Sequence, residues 1–281
     1  MEIKLAESCG FCFGVKRAIR LAESNPNSVV IGELIHNRRE IDRLSQNFGV
    51  RTAASAEEIN GGDRAIIRTH GIEKEAKAKL LTITDDIIDA TCPYVTKPQK
   101  IAETMSQKGY QIVIFGDRKH PEVKAVLSYA DKSAAVVADA SELETINIGD
   151  RVALISQTTK SIAAFGEVAA ALIARTSEAR VFNTICNATY DNQEATRKLA
   201  KEADIMIVIG GKNSSNTKQL HAIALKYCAD SYLIEESSEL RREWFSGKRL
   251  CGVSAGASTP DWIIEEATKS IAQFELLAGL D

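Results

Sequence analysis

Short apolar runs alternate along the chain with stretches in which apolar residues recur every three or four positions. The runs have the length of buried strands, and the intervening periodicity is that of helices. The predicted strands are Ser28 to Ile31, Ala65 to Arg68, Ile87 to Ala90, Gln111 to Phe115, Arg151 to Ile155, Asp204 to Ile209 and Arg249 to Val253. The predicted helices are Val15 to Glu23, Gln99 to Gln107, Ile162 to Arg175, Asn192 to Lys201 and Pro260 to Phe274. This alternation predicts an α/β fold with mainly parallel sheets.

Three of the apolar runs end in a glycine that is followed, four positions later, by a polar residue at the start of a helical pattern. These pairs are Gly32 with His36, Gly116 with His120, and Gly210 with Ser214. Asn37 with Glu40, and Asn216 with Gln219, have the spacing of a helix cap and its reciprocal partner.

A cysteine precedes each of these glycines at a similar distance. Cys12 lies 20 residues before Gly32, Cys92 lies 24 before Gly116, and Cys186 lies 24 before Gly210. A second strand in each repeat also ends in polar residues, which are His70, Gln157 with Thr158, and Ser254 with Ser258. The chain is therefore predicted to contain three pseudo-symmetric modules, 13–91, 92–185 and 186–281, with residues 1–12 as an N-terminal strand of unassigned module.

Composition and charge narrow the class of protein. The 281 residues are 44% hydrophobic and 26% charged, which is typical of a folded globular chain. Thirty-five basic residues are dispersed among 38 acidic ones for a net charge of −3, so nothing indicates a nucleic-acid or anionic-lipid partner. No signal-peptide pattern and no membrane-spanning apolar run is found. We expect a cytoplasmic protein whose six cysteines are thiols.

The polar residues at the strand ends predict an anion site. Ligands of parallel α/β sheets collect beyond the carboxyl ends of the strands, where helix N-termini present N–H groups. The residue types found there bind phosphate oxygens, and they are His36, His70, His120, Ser214, Asn216 and Ser258. Glu122 is a carboxylate among anion-binding groups, which indicates a proton carrier whose pKa burial would raise.

The three repeated cysteines could converge on one metal centre. Three thiolates can hold an iron–sulfur cluster and leave one iron open as a Lewis acid. They can also hold zinc with a water as the fourth ligand, and the spacing leaves both alternatives open.

The other three cysteines have no counterparts in the repeats. Cys9 forms a Cys-x-x-Cys with Cys12 that could be a redox pair. We interpret this spacing as coincidence, because no such pair precedes Cys92 or Cys186. Cys228 and Cys251 are interpreted as small buried hydrophobic residues.

The ordered motifs of the chain resemble those of the LytB/IspH family of 4-hydroxy-3-methylbut-2-enyl diphosphate reductases. In chain order they are GFCFGVKRAI, IHN, THG, DATCPYVTK, HPEV, SQTT, CNAT with QEA, KNSSNT and GVSAGASTPDW. The resemblance covers essentially the full length. It implies three lobes around a 4Fe–4S cluster held by Cys12, Cys92 and Cys186 with one open iron, and three cysteines suit a 3Fe–4S form as well.

The resemblance also implies a reaction, a site and a redox partner. The reaction is reductive dehydroxylation of (E)-4-hydroxy-3-methylbut-2-enyl diphosphate to isopentenyl and dimethylallyl diphosphate, the last step of the non-mevalonate isoprenoid pathway. Electrons would come from a ferredoxin or flavodoxin-type donor. Glu122 would deliver the proton with Thr158, which lies beside the substrate's hydroxymethyl group. The other implied substrate-binding residues are His36, His70, His120, Ser214, Ser215, Asn216 and Ser258.

A second function class follows from the residues alone. An iron–sulfur or zinc protein without enzymatic activity could use the same pocket to sense a phosphorylated metabolite. Glu122 discriminates between the two classes, because a binding module has no use for a carboxylate beside the anion.

Overall fold

The computed structural model describes residues 1–278, with side chains described up to residue 274. The strands are β1 (Glu2–Leu5), β2 (Val29–Ile31), β3 (Arg51–Ala53), β4 (Ala65–Ile67), β5 (Ile87–Asp89), β6 (Gln111–Phe115), β7 (Ala135–Val137), β8 (Arg151–Ser156), β9 (Glu178–Val181), β10 (Ile205–Ile209), β11 (Ser231–Ile234) and β12 (Leu250–Ala255). The helices are α1 (Phe13–Glu23), α2 (Arg38–Phe48), α3 (Lys74–Ile83), α4 (Pro93–Gln107), α5 (Pro121–Leu127), α6 (Ile162–Ile173), α7 (Asn187–Ala200), α8 (Ser215–Tyr227) and α9 (Asp261–Ala278).

The strands form three four-stranded sheets with the same internal arrangement. Their orders are β3-β2-β4-β5, β7-β6-β8-β9 and β11-β10-β12-β1. Every strand pairing in the described part of the chain is parallel, which confirms the predicted α/β class. The N-terminal strand β1 pairs with β12, with Ile3 opposite Cys251. It therefore takes the position in the third sheet that β5 and β9 take in the other two.

Both faces of the central strands are buried, which explains their continuous apolar sequence. In β6, Ile112 and Ile114 pack into one hydrophobic cluster, while Val113 and Phe115 pack into the cluster on the opposite face. In β10, Ile205, Ile207 and Ile209 alternate in the same way with Met206 and Val208.

The contacts divide the chain into two compact units. One comprises residues 1–15, 36–40 and 187–281 and contains the sheet of β10 and β12, while the other comprises 16–35 and 41–186 and contains the remaining two sheets. The boundaries 13–91, 92–185 and 186–281 stay predictions, and the last three residues of the third module lie outside the described residues. None of the helices within residues 1–278 combines the length and the apolar character needed to cross a bilayer.

The predicted central strands are confirmed within one or two residues, but several helix starts are wrong. Helix α4 begins at Pro93 instead of Gln99, and α7 begins at Asn187 instead of Asn192. The proline at the first position of α4 fits there, because the missing N–H would have no helical partner. Both helices therefore begin directly after a cysteine of the repeat.

Candidate active site

Each repeated cysteine is anchored to a strand end by its own backbone. Its N–H group donates to the carbonyl oxygen of the residue two positions beyond the third strand of a sheet. These hydrogen bonds run from Cys12 to Ala257 at 3.1 Å, from Cys92 to Thr69 at 3.0 Å, and from Cys186 to Thr158 at 3.0 Å. The structure thus gives the three cysteines equivalent local environments, which is what the repeat predicts.

Burial separates these cysteines from two of the others. Cys12, Cys92 and Cys186 are half-buried, whereas Cys228 and Cys251 are buried in the core. Burial raises the pKa of the Cys251 thiol to about 12, which makes a thiolate there unfavourable. The interpretation of Cys228 and Cys251 as core residues is confirmed. Cys9 is half-buried against two core clusters, and burial also raises the pKa of its thiol.

Residue Thr184 fixes the segment that leads into Cys186. Its buried hydroxyl accepts from the N–H group of Ser156 at 2.8 Å and donates to the carbonyl oxygen of the same residue at 2.5 Å. A side chain therefore replaces the strand pairing at the last residue of β8. No sequence repeat marks Thr184, because the other two modules hold their cysteine segments differently.

Glu122 and Thr158 form a buried, hydrogen-bonded pair. The backbone N–H group of Thr158 donates to Oε1 of Glu122, and its hydroxyl donates to Oε2, both at 2.7 Å. Desolvation raises the pKa of Glu122 to about 7, although both hydrogen bonds from Thr158 oppose the shift. The expected upward shift is therefore present, and this carboxyl group can hold and release a proton near neutral pH.

The start of helix α5 places Glu122 in this position. His120 caps the helix, with its Nδ1 accepting from the N–H group of Glu122 at 3.2 Å, and Pro121 is the first helical residue. The imidazole Nδ1 is thereby an acceptor, so any proton on the neutral ring lies on Nε2. The ring of His70 packs edge-on against that of His120, with centroids 5.3 Å apart.

Thr69 ties the segment of His70 to the neighbouring strand end. Its buried hydroxyl donates to the carbonyl oxygen of Leu34 at 2.6 Å, while its own carbonyl accepts from Cys92. Gly71 follows with a φ of 71°, a conformation that favours glycine. Thr69 and Thr184 are supporting residues that sequence reasoning missed, since a lone threonine before a histidine or cysteine carries no distinctive signal.

The predicted serine and asparagine cluster lies at the start of α8, but the cap assignment was wrong. Ser214, not Asn216, caps the helix, and its hydroxyl accepts from the N–H group of Thr217 at 3.3 Å. The reason is that the helix begins at Ser215, so Asn216 already lies inside the first turn. Both amide atoms of Asn216 are buried and find no hydrogen-bond partner among the described residues. Such a group points to a bound polar ligand, because burying an unsatisfied amide is costly.

Neighbouring backbone segments pack closely around the first turn of α8. A β-carbon on Gly256 would overlap the hydroxyl of Thr217, and one on Gly211 would lie 2.5 Å from the carbonyl oxygen of His36. Ser258 donates its hydroxyl to the same His36 carbonyl at 3.1 Å. His36, Ser258 and the start of α8 are therefore brought together within one unit.

The His36 segment is secured further along by α9. Asn37 caps α2, with its Oδ1 accepting from the N–H group of Glu40 at 3.1 Å, as predicted. The indole N–H of Trp262 donates to Oε2 of Glu40 at 3.1 Å, and the guanidinium of Arg39 lies 4.6 Å from the centroid of the Trp262 ring. The tryptophan of the last sequence motif thus contacts the first turn of α2, which follows His36 in the chain.

Comparison with known proteins identifies close relatives over the whole chain. The family model described as LytB protein matches residues 3–272. A 4-hydroxy-3-methylbut-2-enyl diphosphate reductase of Wolinella succinogenes is 57% identical over 275 residues, which is 98% of this chain and 100% of the relative. The reductase of Campylobacter fetus is 56% identical over 271 residues, covering 96% and 97% of the two chains.

Solved structures agree with these sequence matches. The structure of (E)-4-hydroxy-3-methyl-but-2-enyl diphosphate reductase, the terminal enzyme of the non-mevalonate pathway, has a TM-score of 0.70 at 41% identity, covering 97% of this chain and all of the other. The Plasmodium falciparum E-1-hydroxy-2-methyl-but-2-enyl-4-diphosphate reductase has a TM-score of 0.86 at 25% identity, covering 96% and 87%.

Proposed function

The chain belongs to the LytB protein family, and from this premise we propose that it is a 4-hydroxy-3-methylbut-2-enyl diphosphate reductase. The reaction breaks the carbon–oxygen bond of the allylic hydroxyl group, consumes two electrons and two protons, and releases water. Its products are isopentenyl diphosphate and dimethylallyl diphosphate. The relatives that carry this name match nearly the full length of the chain at 54 to 58% identity.

We propose that Cys12, Cys92 and Cys186 hold the iron–sulfur cluster. The support is their equivalent anchoring, their half-buried thiols and their positions directly before α1, α4 and α7. Three thiolates suit a 4Fe–4S cluster with one open iron, and a reducing cytoplasm would keep them reduced. When bound, the cluster supplies the electrons and a Lewis-acidic iron for the substrate oxygen.

Candidate diphosphate-binding residues occur in each unit. In one unit the candidates are His36, Ser214, Ser215, Asn216 and Ser258. In the other they are His70, His120 and Thr158. The buried amide of Asn216 supports this assignment most directly, because both of its polar atoms lack a partner among the described residues and could be satisfied by phosphate oxygens. The N–H groups of the first turn of α8 add donors and a positive dipole end.

Glu122 is the proposed proton carrier, and its buried contact with Thr158 is the observation that carries the proposal. A pKa of about 7 leaves Glu122 partly protonated at neutral pH, so it can donate without a large energetic barrier. Thr158 holds the carboxylate through two donors and can pass its hydroxyl proton to a neighbouring substrate oxygen while regaining one from Glu122. A metabolite sensor has no need of such a pair.

The Glu122→Gln variant tests this assignment. Glutamine has nearly the same shape but carries no titratable proton, so we expect turnover to fall by about 100-fold or more while iron content and substrate affinity are retained. Glu75→Gln, an exposed carboxylate in the first turn of α3, is the matched control. Retained turnover in Glu122→Gln would rule out the proton role, and a wild type that binds substrate without converting it would favour the sensor.

The cysteine assignment has its own test. Replacing Cys12, Cys92 or Cys186 with serine should remove the brown colour and most of the iron from protein purified without oxygen. Cys228→Ser serves as the control, because this buried thiol lies in the core. Colourless wild-type protein that contains stoichiometric zinc would overturn the iron assignment.

A further inference from the structure

Exposed aromatic side chains mark the helices that follow the three cysteines. Phe13, Tyr94 and Tyr190 are 66%, 40% and 45% exposed, and each lies among the first four residues of α1, α4 or α7. Among the described side chains, only Tyr227 and Trp262 are further exposed aromatic residues. Aromatic side chains carry large apolar surfaces that folding normally removes from water, so their exposure near the starts of these helices suggests recognition of a partner.

Arg17 links α1 to the segment before α4, and all of the residues in this contact belong to one unit. Its guanidinium donates to the carbonyl oxygen of Asp89 at 3.0 Å and to that of Thr91 at 3.3 Å. These two residues form the segment that leads into Cys92 and the start of α4. The basic side of α1 is thereby fixed against the cysteine segment.

Further basic residues lie on the same two helices. Lys16 and Arg20 of α1 are exposed, and so is Lys97 of α4, which follows Tyr94 by three positions on the same side of the helix. None of these three side chains forms an ion pair with a described residue. We call Lys16, Arg17, Arg20, Lys97 and Tyr94 the basic patch. It is locally cationic in a chain whose net charge is −3.

The composition of the basic patch fits one kind of partner. Unpaired cations attract an acidic protein surface over a distance and accelerate encounter. An exposed tyrosine beside them can bury its ring at the centre of an interface, where aromatic residues and arginine are enriched. The amino end of α4 adds a partial positive charge of the same sign.

We propose that the basic patch is the docking surface of an acidic one-electron carrier protein. The inference rests on the proposed function. In each turnover, two reduced carriers lose one electron each, and the substrate's carbon–oxygen bond is replaced by a carbon–hydrogen bond with release of water. Tyr94 lies two residues after Cys92, so a carrier on the patch contacts the first turn of the helix that follows a proposed cluster ligand. A short path between the two redox groups favours rapid transfer.

Charge reversal of the patch tests the proposal by binding and by kinetics. The probe is an acidic plant-type 2Fe–2S ferredoxin, and the variant is the double substitution Lys16→Glu with Lys97→Glu in the anaerobically purified holoprotein. We expect the Kd for oxidised ferredoxin, measured by calorimetry, to rise about tenfold or more and its salt dependence to weaken. KM for reduced ferredoxin should rise in parallel. Turnover driven by reduced methyl viologen should not change, because the small dye does not need the patch.

Two further variants separate docking from general effects. Lys132→Glu, an exposed lysine in the turn before β7, should leave the ferredoxin Kd unchanged. Tyr94→Ala should weaken binding, and Tyr94→Phe should restore it because the ring is retained.

The outcomes distinguish this proposal from the proposed function. An unchanged ferredoxin Kd in the double variant, or an equal rise in Lys132→Glu, would overturn the docking surface. Failure of the wild type to convert substrate with reduced methyl viologen would instead refute the reductase assignment, whatever the ferredoxin affinity.

Discussion

Removing the hydroxyl of Thr158 should raise the pKa of Glu122 above its value of about 7. Valine retains the β-branched shape of threonine but cannot donate to Oε2 of Glu122, whereas the backbone N–H group still donates to Oε1. A hydrogen bond to a charged group contributes about 1.5 to 3 kcal/mol, and one pKa unit corresponds to about 1.4 kcal/mol. In the wild type, the hydrogen bond from the Thr158 hydroxyl also stabilises the protonated carboxyl group in part, so only the remainder of its free energy changes the pKa. We therefore expect an increase of about one unit in Thr158→Val.

Infrared difference spectroscopy measures this shift. The stretching band of a protonated carboxyl group should disappear with a midpoint near pH 7 in the wild type and about one unit higher in Thr158→Val, and it should be absent from Glu122→Gln. Thr159→Val is the control, because the Thr159 hydroxyl accepts from the side chain of Gln157 at 2.9 Å and makes no direct bond to Glu122. An unchanged or lower midpoint in Thr158→Val would refute the reasoning that this hydroxyl stabilises the ionised form.

Three further predictions concern stability and cofactor retention. Because the pKa of Glu122 is higher in the folded protein than the ordinary 4.5, its contribution is present below pH 4.5 and is lost as pH rises through about 7. The wild type should therefore lose about 3 kcal/mol relative to Glu122→Gln between pH 4.5 and 8 in urea unfolding, and parallel pH curves would contradict this sign. Gly256→Ala should lower the free energy of unfolding by about 1 to 3 kcal/mol, because the added carbon overlaps Thr217. Gly62→Ala is the control, since nothing lies within 4 Å of its added carbon. Equal melting temperatures of the two variants would contradict the close approach at Gly256. Thr184→Val removes both hydrogen bonds of the Thr184 hydroxyl to the backbone of Ser156 and should lower the iron content of anaerobically purified protein. The control Thr82→Val, at an exposed position, should not. Equal iron contents would show that the Thr184 hydroxyl is dispensable for cluster retention.

The sequence repeat predicted the central strands because their apolar runs and closing glycines are strong local signals. Gln111–Phe115 is predicted to the residue, and the first polar tips at His36, His120 and Ser214 all precede helices in the structure. The proton-carrier role of Glu122 was inferred from a simple conflict between a carboxylate and an anion site. Its burial and raised pKa agree with that inference.

The outer strands β3, β7, β9 and β11 could not be predicted in the same way, although β5 was. Each of these strands is three or four residues long. Each lies at the edge of its sheet and pairs with one neighbouring strand only. The position of β1 was also beyond the sequence, because its pairing with β12 joins residues about 250 positions apart. Such a contact leaves no local periodicity. The same holds for Thr184, whose role depends on two hydrogen bonds to a distant strand end.

Equivalent positions in the three modules carry different chemistry. In every module, the N–H group of a cysteine donates to the carbonyl oxygen of the residue two positions beyond the third strand. This residue is Thr69, Thr158 or Ala257. The hydroxyl of Thr69 supports a neighbouring strand end, that of Thr158 contacts Glu122, and Ala257 has none. The repeat thus supplies a common frame for the cysteines, while the side chain at this position specialises each module.

The most direct test of the proposed reaction is anaerobic incubation of the iron-loaded protein with (E)-4-hydroxy-3-methylbut-2-enyl diphosphate and reduced methyl viologen, followed by product analysis. We predict that isopentenyl and dimethylallyl diphosphate form as two dye molecules are oxidised for each substrate consumed. Unchanged substrate in the presence of brown, fully loaded protein would contradict the assignment.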